Sequence, residues 1–271
     1  MAQQAASNSI GSPFIELQTI DSTNKYAMEL IHAGMAQHGM AVFSHSQTAG
    51  KGQRNKKWKA EPRANIAMSF IIKPGSLQVY EQFHLSAAIA MAVHEFFSSY
   101  AGDETKIKWP NDLYWRDRKA GGILIESVIG SHPSANENTV VSQSPVNSWQ
   151  WAVIGIGINI NQTKFPNDLP NPVSLKQITG KTFEPIQLAK ELPDFINRNF
   201  HLLLEGKKKE IIQHYNQALY KLNEQVKLKE GNRVFDVIIK GVSSSGELLT
   251  THAFDEEFDF GAVEWLIEKT N

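Results

Sequence analysis

The sequence predicts an α+β protein, with a mixed central sheet flanked by helices and a small all-β unit after it. Three observations predict this. Up to residue 160, apolar runs of strand length alternate with two stretches of helical periodicity. Residues 184–220 are helical in pattern. Residues 225–265 change character, to short alternating segments (QVKLKE, RVFDVIIKGV, GELLTTHA, DFGAVEWL) punctuated by glycine and serine.

Residues 1–13 are small and polar and are expected to be mobile. Phe14 to Ile20 alternates as a short strand. Asp21-Ser22-Thr23-Asn24 then offers helix N-caps, Tyr26, Leu30 and Ile31 follow at helical spacing, and Gly34 ends the helix. Residues 39–46 and the buried run 65–72 (NIAMSFII) read as strands. Leu85, Ile89, Val93, Phe96 and Tyr100 mark a helix that Gly102 stops. Residues 105–109, 112–116 and 121–129 read as strands, with a Pro110-Asn111 turn between the first two. The stretch 130–148, rich in serine, asparagine and proline, reads as a long exposed hairpin loop, and 149–160 returns as an apolar strand carrying two glycines. Pro193 is expected to start or kink a helix. No internal repeat is visible. The division expected is a 1–13 segment, a domain over 14–222 and a β unit over 223–271.

Composition excludes several classes. The 271 residues are 41% apolar and 20% charged, which supports a real core and not a disordered chain. With 27 Lys plus Arg against 28 Asp plus Glu, the net charge of -1 argues against wholesale binding to nucleic acid. The absence of cysteine removes disulfides, thiolate zinc sites, iron–sulfur clusters and a Cys nucleophile. No apolar run nears the roughly 18 residues that span a bilayer. The N-terminus lacks the charged and apolar regions of a signal peptide, so a cytoplasmic protein is expected.

Three stretches carry candidate chemistry. From Lys51 to Arg63 there are six basic residues and one acidic one, and Gly50 and Gly52 flank Lys51. Such a run is either a solvated loop or a flexible anion-binding loop, and it lacks the phosphate-loop spacing GxxxxGK[ST]. In 106–128 a strand ends in Lys108-Trp109-Pro110-Asn111-Asp112, and Lys119 opens an apolar strand beside Gly121-Gly122. A lysine there either snorkels to water or holds its ammonium against an anion. Gly155-Ile156-Gly157-Ile158-Asn159 is strand interior, where glycine permits a flat ligand or another backbone to lie on the sheet. The nine histidines show no paired metal spacing, so no metal ligands are assigned, and no GxSxG supports a serine triad.

In this order the pieces resemble the biotin–protein ligases. Asp21-Ser22-Thr23-Asn24 matches the family's opening D-S-T-N, and Gln47 through Trp58 is similar to its G-R-G-R-x-x-x-x-W loop. Lys108 to Asp112 matches K-W-P-N-D, Lys119 to Glu126 resembles K-x-x-G-I-L-x-E, and Gly155 to Asn159 resembles G-x-G-x-N. The loop's two arginines fall on Lys51 and Gln53 here. Lysine keeps the charge without the bidentate fork, and Gln53 loses the charge unless Arg54 stands in.

The resemblance implies the biotin–lipoate ligase fold, which is class II aminoacyl-tRNA-synthetase-like, with an SH3-like β-barrel at the C-terminus. It implies two steps: biotin and ATP form biotinyl-5′-AMP, and the biotin then passes to a lysine of a biotin carboxyl carrier domain. Lys119 is the implied catalytic residue. Ser22, Thr23, Asn24, Gln47, Lys51, Gly52, Gln53 and Lys119 are the implied biotin site, and Arg54, Trp58, Asn111 and Asn159 the implied ATP site. Mg²⁺ would share the phosphate charge, and Asp112 is a candidate base for transfer. With about 14 residues before the first strand, a short form without the N-terminal helix-turn-helix, and so without DNA binding, is expected; a homodimer stays open. The rivals are a lipoate–protein ligase, whose R-R-x-x-G-G-G signature is missing, and a non-catalytic biotin- or nucleotide-binding regulator.

Overall fold

The protein is described by a computed structural model over residues 9–131 and 147–267. Seven strands form the main sheet: β1 (Phe14–Leu17), β2 (Ala41–Ser44), β3 (Asn65–Ile72), β4 (Thr105–Lys108), β5 (Asp112–Trp115), β6 (Arg118–Ser131) and β7 (Asn147–Asn159). Their order is β1-β2-β3-β7-β6-β5-β4, with β1 and β2 parallel and every other pair antiparallel.

β3 is buried at every position, so it needs cover on both faces. On one face Met68, Phe70 and Ile72 line up with Ile156, Ile154 and Ala152 of β7. The helix α2 (Gln82–Ala101) closes that face with Leu85, Ile89, Val93 and Phe96, and α4 (Pro185–Leu204) and α5 (Lys208–Gln217) pack behind it. On the other face Ile71 and Val153 meet Ala27 and Leu30 of α1 (Thr23–His32). That helix covers only part of the face. Further along, the pairs Ser69–Gly155 and Ala67–Gly157 form a floor of small side chains.

The elements follow the expected order, with local differences. A short helix, α3 (Leu175–Thr179), stands where no periodicity announced one. The helical stretch 184–220 is two helices, separated at Gly206, whose φ is +77°. α4 opens on Pro185, while Pro193 lies inside it. The expected mobile segment is corrected at its end: Ile10 is buried, its N–H donates to Asn197 Oδ1 (2.9 Å), and Asn197 Nδ2 donates back to its carbonyl (2.9 Å). Residues 1–8 and positions 132–146 of the hairpin loop expected over 130–148 lie outside the described residues, and the ends of that stretch are strand, β6 running to Ser131 and β7 from Asn147.

Five antiparallel strands form the C-terminal SH3-like sheet: β8 (Gln225–Glu230), β9 (Arg233–Val242), β10 (Leu248–Thr251), β11 (Asp255–Phe258) and β12 (Glu264–Trp265), in the order β11-β10-β9-β8-β12. It is joined firmly to the main sheet. Ile107 on edge strand β4 donates to Ala218 O (2.9 Å) and accepts from Tyr220 N (2.8 Å), so the edge is sealed. Trp109 Nε1 donates to Gly246 O (2.9 Å), and Leu228, Phe235, Val237 and Leu248 belong to the same apolar cluster as α2.

The fully buried Tyr215 anchors the turn after β4 by donating its hydroxyl to Pro110 O (2.8 Å). Tyr215→Phe strands that carbonyl, so a loss of about 1–2 kcal/mol is expected in urea denaturation with an unchanged m-value.

Candidate active site

One β-bulge sets the site. β5 pairs with β6 in the register Asp112↔Gly122 and Leu113↔Gly121, then slips so that Tyr114 opposes Lys119. Ala120 is the extra residue. In a regular strand Lys119 and Gly122, three residues apart, would face opposite ways. The bulge turns both to the small-residue floor. There Lys119 Nζ donates to Asp112 Oδ1 at 2.6 Å, with the two side chains 32% and 22% exposed. The backbone of Lys119 is fixed on both sides: its N–H donates to Asn171 O (2.8 Å) and its carbonyl accepts from Val173 N (2.9 Å).

A buried polar chain occupies the end of the floor at the start of α1. Ser22, Thr23 and Asn24 are each 3% exposed. Ser22 is the N-cap residue, but its side chain makes no capping bond. Gln47 Oε1 accepts from Thr23 N (2.8 Å) and Thr23 Oγ1 (3.2 Å). Ser69 Oγ donates to Asn24 Oδ1 (2.6 Å) and lies 2.7 Å from Thr23 Oγ1. Asn24 Nδ2 donates to Glu126 Oε2 (2.7 Å), and Glu126 Oε1 lies 3.5 Å from Lys51 Nζ. The chain therefore runs from β3 through α1 to the basic loop. Such a row of hydroxyls and amides suits a compact polar head, and each member has a partner to exchange for a ligand.

The basic loop folds back on itself: Gly52 N donates to Lys56 O (2.7 Å), Lys56 N to Gln53 O (3.0 Å) and Trp58 N to Gly50 O (2.9 Å). Gln53 opens the turn, and Gly52 spends its N–H within the loop. Trp58 lies flat on Gly157, where a Cβ would sit 2.6 Å from the indole Cε2. The flat group on Gly157 is thus the chain's own indole, whose buried Nε1 has no hydrogen-bond partner among the described residues.

Of the expected nucleotide residues, two are spent on scaffolding and one points elsewhere. Asn111 Nδ2 donates to Ile123 O, and Asn159 Nδ2 to Val173 O (3.1 Å), holding the strand ends that carry Lys119. Arg54, with φ of 53°, lies over the Phe260 ring (5.2 Å to its centre) and 3.5 Å from the Phe260 carbonyl. Its cation is drawn to an exposed aromatic face of the C-terminal sheet instead of the floor. The site also holds three residues not singled out for it. Ser69 was visible as the one hydroxyl in the apolar run 65–72, and Glu126 as the acid closing an apolar strand. Lys108, opposite Asp112 in the β4–β5 ladder, opens the K-W-P-N-D match but carried no assigned role; burial pushes its ammonium down to about 8, against the pull of Asp112.

Beside the loop, Lys59, Glu61, Gln162, Lys164, Phe165 and Pro166 line an open cavity of about 610 Å³, and Lys59 pairs with Asp168 at 2.6 Å. Among the described residues no cluster of three or more His, Asp or Glu side chains is placed to hold a metal ion, and no helix is long and apolar enough to cross a membrane.

Residues 16–137 match the model of the Biotin/lipoate A/B protein ligase family. The chain is 35% identical over 179 residues to the Bifunctional ligase/repressor BirA of Bacillus spizizenii, a match covering 65% of this chain and 50% of the relative. It is 28% identical over 243 residues to the Biotin--[acetyl-CoA-carboxylase] ligase of Paracoccus denitrificans, covering 86% and 92%. The chain spans about half the length of the Bacillus relatives it matches. The fold is that of the Aquifex aeolicus biotin protein ligase solved in complex with biotin and ATP, with a TM-score of 0.75 at 24% identity over 94% of this chain and 99% of that one.

A methyl group on Gly157 collides with the indole, so Gly157→Ala is expected to lift Trp58 off the glycine floor. The measurement is amide hydrogen exchange over residues 50–58, which should speed up while β3 and α2 keep their protection.

Proposed function

We propose that the protein is a biotin–protein ligase that forms biotinyl-5′-AMP from biotin and ATP and passes the biotin to a lysine of a biotin carboxyl carrier domain. The observation that carries this reading is the Lys119 ammonium, turned by the bulge onto a glycine floor beneath a basic loop. The names of the Paracoccus and Aquifex proteins support the same choice of substrates.

In the first step a carboxylate oxygen of biotin attacks the α-phosphorus of ATP, and pyrophosphate leaves. Two anions must meet, and in a pocket of low dielectric their repulsion amounts to several kcal/mol. Lys119, swinging from Asp112 to lie between carboxylate and phosphate, offsets it and stabilises the charge that builds on the phosphorane. The Thr23, Asn24, Gln47 and Ser69 groups would take the ureido head of biotin, and their burial makes the choice selective, because an analogue lacking that head leaves them unpaired. Lys51, Gly52 and Gln53 would close over the acid chain and keep water from the anhydride. Ordering of Arg54, Trp58, Asn111 and Asn159 around the nucleotide is part of this reading, and Lys59 and Lys164 in the adjoining cavity favour its anionic part on that side. Mg²⁺ would arrive on the ATP phosphates, and no step is assigned to it.

In the second step the ε-amine of the acceptor attacks the acyl carbon and AMP leaves. The amine must first shed a proton, and Asp112, the carboxylate paired with Lys119, would take it once released. A cytoplasmic setting fits a chain with no cysteine and a need for ATP.

Lys119→Ala is expected to lower biotin-dependent ATP–pyrophosphate exchange by at least about 100-fold with an unchanged melting temperature. Exchange at the normal rate in that variant would overturn the role of Lys119; exchange by the unmodified protein with lipoate instead of biotin would overturn the substrate. Biotin is also expected to slow hydrogen exchange over residues 46–58, and equal protection with and without it would contradict loop closure.

A further inference from the structure

Lys108 is a lysine with no use in the mechanism above. It ends β4 directly opposite Asp112, on the same face of the sheet as Lys119. No carboxylate lies within 4.0 Å of its Nζ among the described residues. The ammonium is boxed by aromatic rings, 5.6 Å from the centre of Tyr114 and 5.1 Å from that of Trp265. Trp265 belongs to β12, so the C-terminal sheet supplies one wall, and Tyr220 braces it at 5.9 Å. The charged groups around Lys108 are Asp112 from β5, Lys119 from β6, Lys56 from the basic loop and Glu264 from β12. A cation kept out of water in this way is expensive to hold, and aromatic faces return only part of the cost.

The ion pair beside it explains its use. Asp112 is balanced by Lys119 at 2.6 Å. Once Lys119 turns to the substrates, Asp112 loses that partner, and an unpaired carboxylate in a half-buried place pulls the Lys119 ammonium back from them. We propose that Lys108 is a positioning residue of the reaction: the standby counter-ion of Asp112 that frees Lys119 to serve the carboxylate and the phosphate. This rests on the ligase reading above. The register fixes where Lys108 must stand, because a directly opposed pair on one face is the closest approach two strands offer. The rings hold the ammonium near Asp112 without quenching it, as a carboxylate partner would.

The test uses the full chain with Lys108→Met and Lys108→Arg, measuring biotin-dependent ATP–pyrophosphate exchange across the pH range together with the melting temperature. Unmodified protein should lose activity on the alkaline side near pH 8, where Lys108 gives up its proton. Lys108→Arg, which stays charged, should move that limb to higher pH. Lys108→Met should lower kcat by about ten-fold or more while KM for biotin changes less than about two-fold. A folded Lys108→Met with the unmodified kcat and profile would overturn the proposal. Should that variant not fold, a folded Lys108→Arg with an unmoved alkaline limb would do so. Normal exchange by the unmodified protein in either case leaves the ligase reading standing; no exchange with biotin at all removes both.

Discussion

A single slipped register in the β5–β6 ladder is the constraint on which the site depends. Strand side chains alternate with a period of two, so the face on which a residue appears is fixed by parity alone. The bulge at Ala120 breaks that parity once, between Gly122 and Lys119. Downstream of it the ladder places glycine on the floor and Ile123 in the core; upstream it places an ammonium on the floor. Without the slip the lysine would point at α2, into an apolar cluster that cannot hold it. The ties on either side, from Asn159 to Val173 and from Lys119 to Asn171 and Val173, hold the slipped register in place.

The polar chain shows the same economy. Ser69, Thr23, Asn24, Gln47 and Glu126 come from four separate segments, yet each finds a partner within 3.2 Å. Buried polar groups in this density are tolerated only when satisfied. The network therefore fixes the entry of α1 against β3, and it leaves donors and acceptors already oriented for a ligand that exchanges with them. Lys51 at 3.5 Å from Glu126 is its looser, exposed end, which is where a loop that opens should be attached.

Much of the fold was legible in the sequence because it is periodic. The strands at 65–72 and 105–115, the α2 helix from Leu85 to Tyr100 and the change of character after 222 all carry local patterns. What was not legible is what depends on register or on contacts distant in sequence. α3 is five residues long, too short to show a period, and Ser174 with Gln177 forms its capping box without any apolar stripe. The glycines of β7 were read as room for a flat ligand or another backbone, and the groups over them are side chains distant in sequence, Trp58 on Gly157 and Asn24 on Gly155. Arg54 was expected at the nucleotide because it neighbours a missing arginine; Phe260, on the other sheet, competes for it. Lys108 looks like any lysine in a strand until its register partner and the ring of Trp265 are known.

The seal along β4 carries a wider consequence. Residues 218–220 pair with Ile107, and the apolar cluster runs unbroken from α2 into β8, β9 and β10. The C-terminal sheet is therefore less an appended module than a closing piece of the larger one. Removing it would strip Trp109 of the Gly246 carbonyl and uncover the apolar residues packed against Leu228, Phe235 and Leu248, the kind of surface that recruits neighbouring chains into aggregates. Evolution can vary the outward face of this sheet freely, but a swap of the whole unit would have to reproduce a hydrogen-bond seam and a shared interior at once.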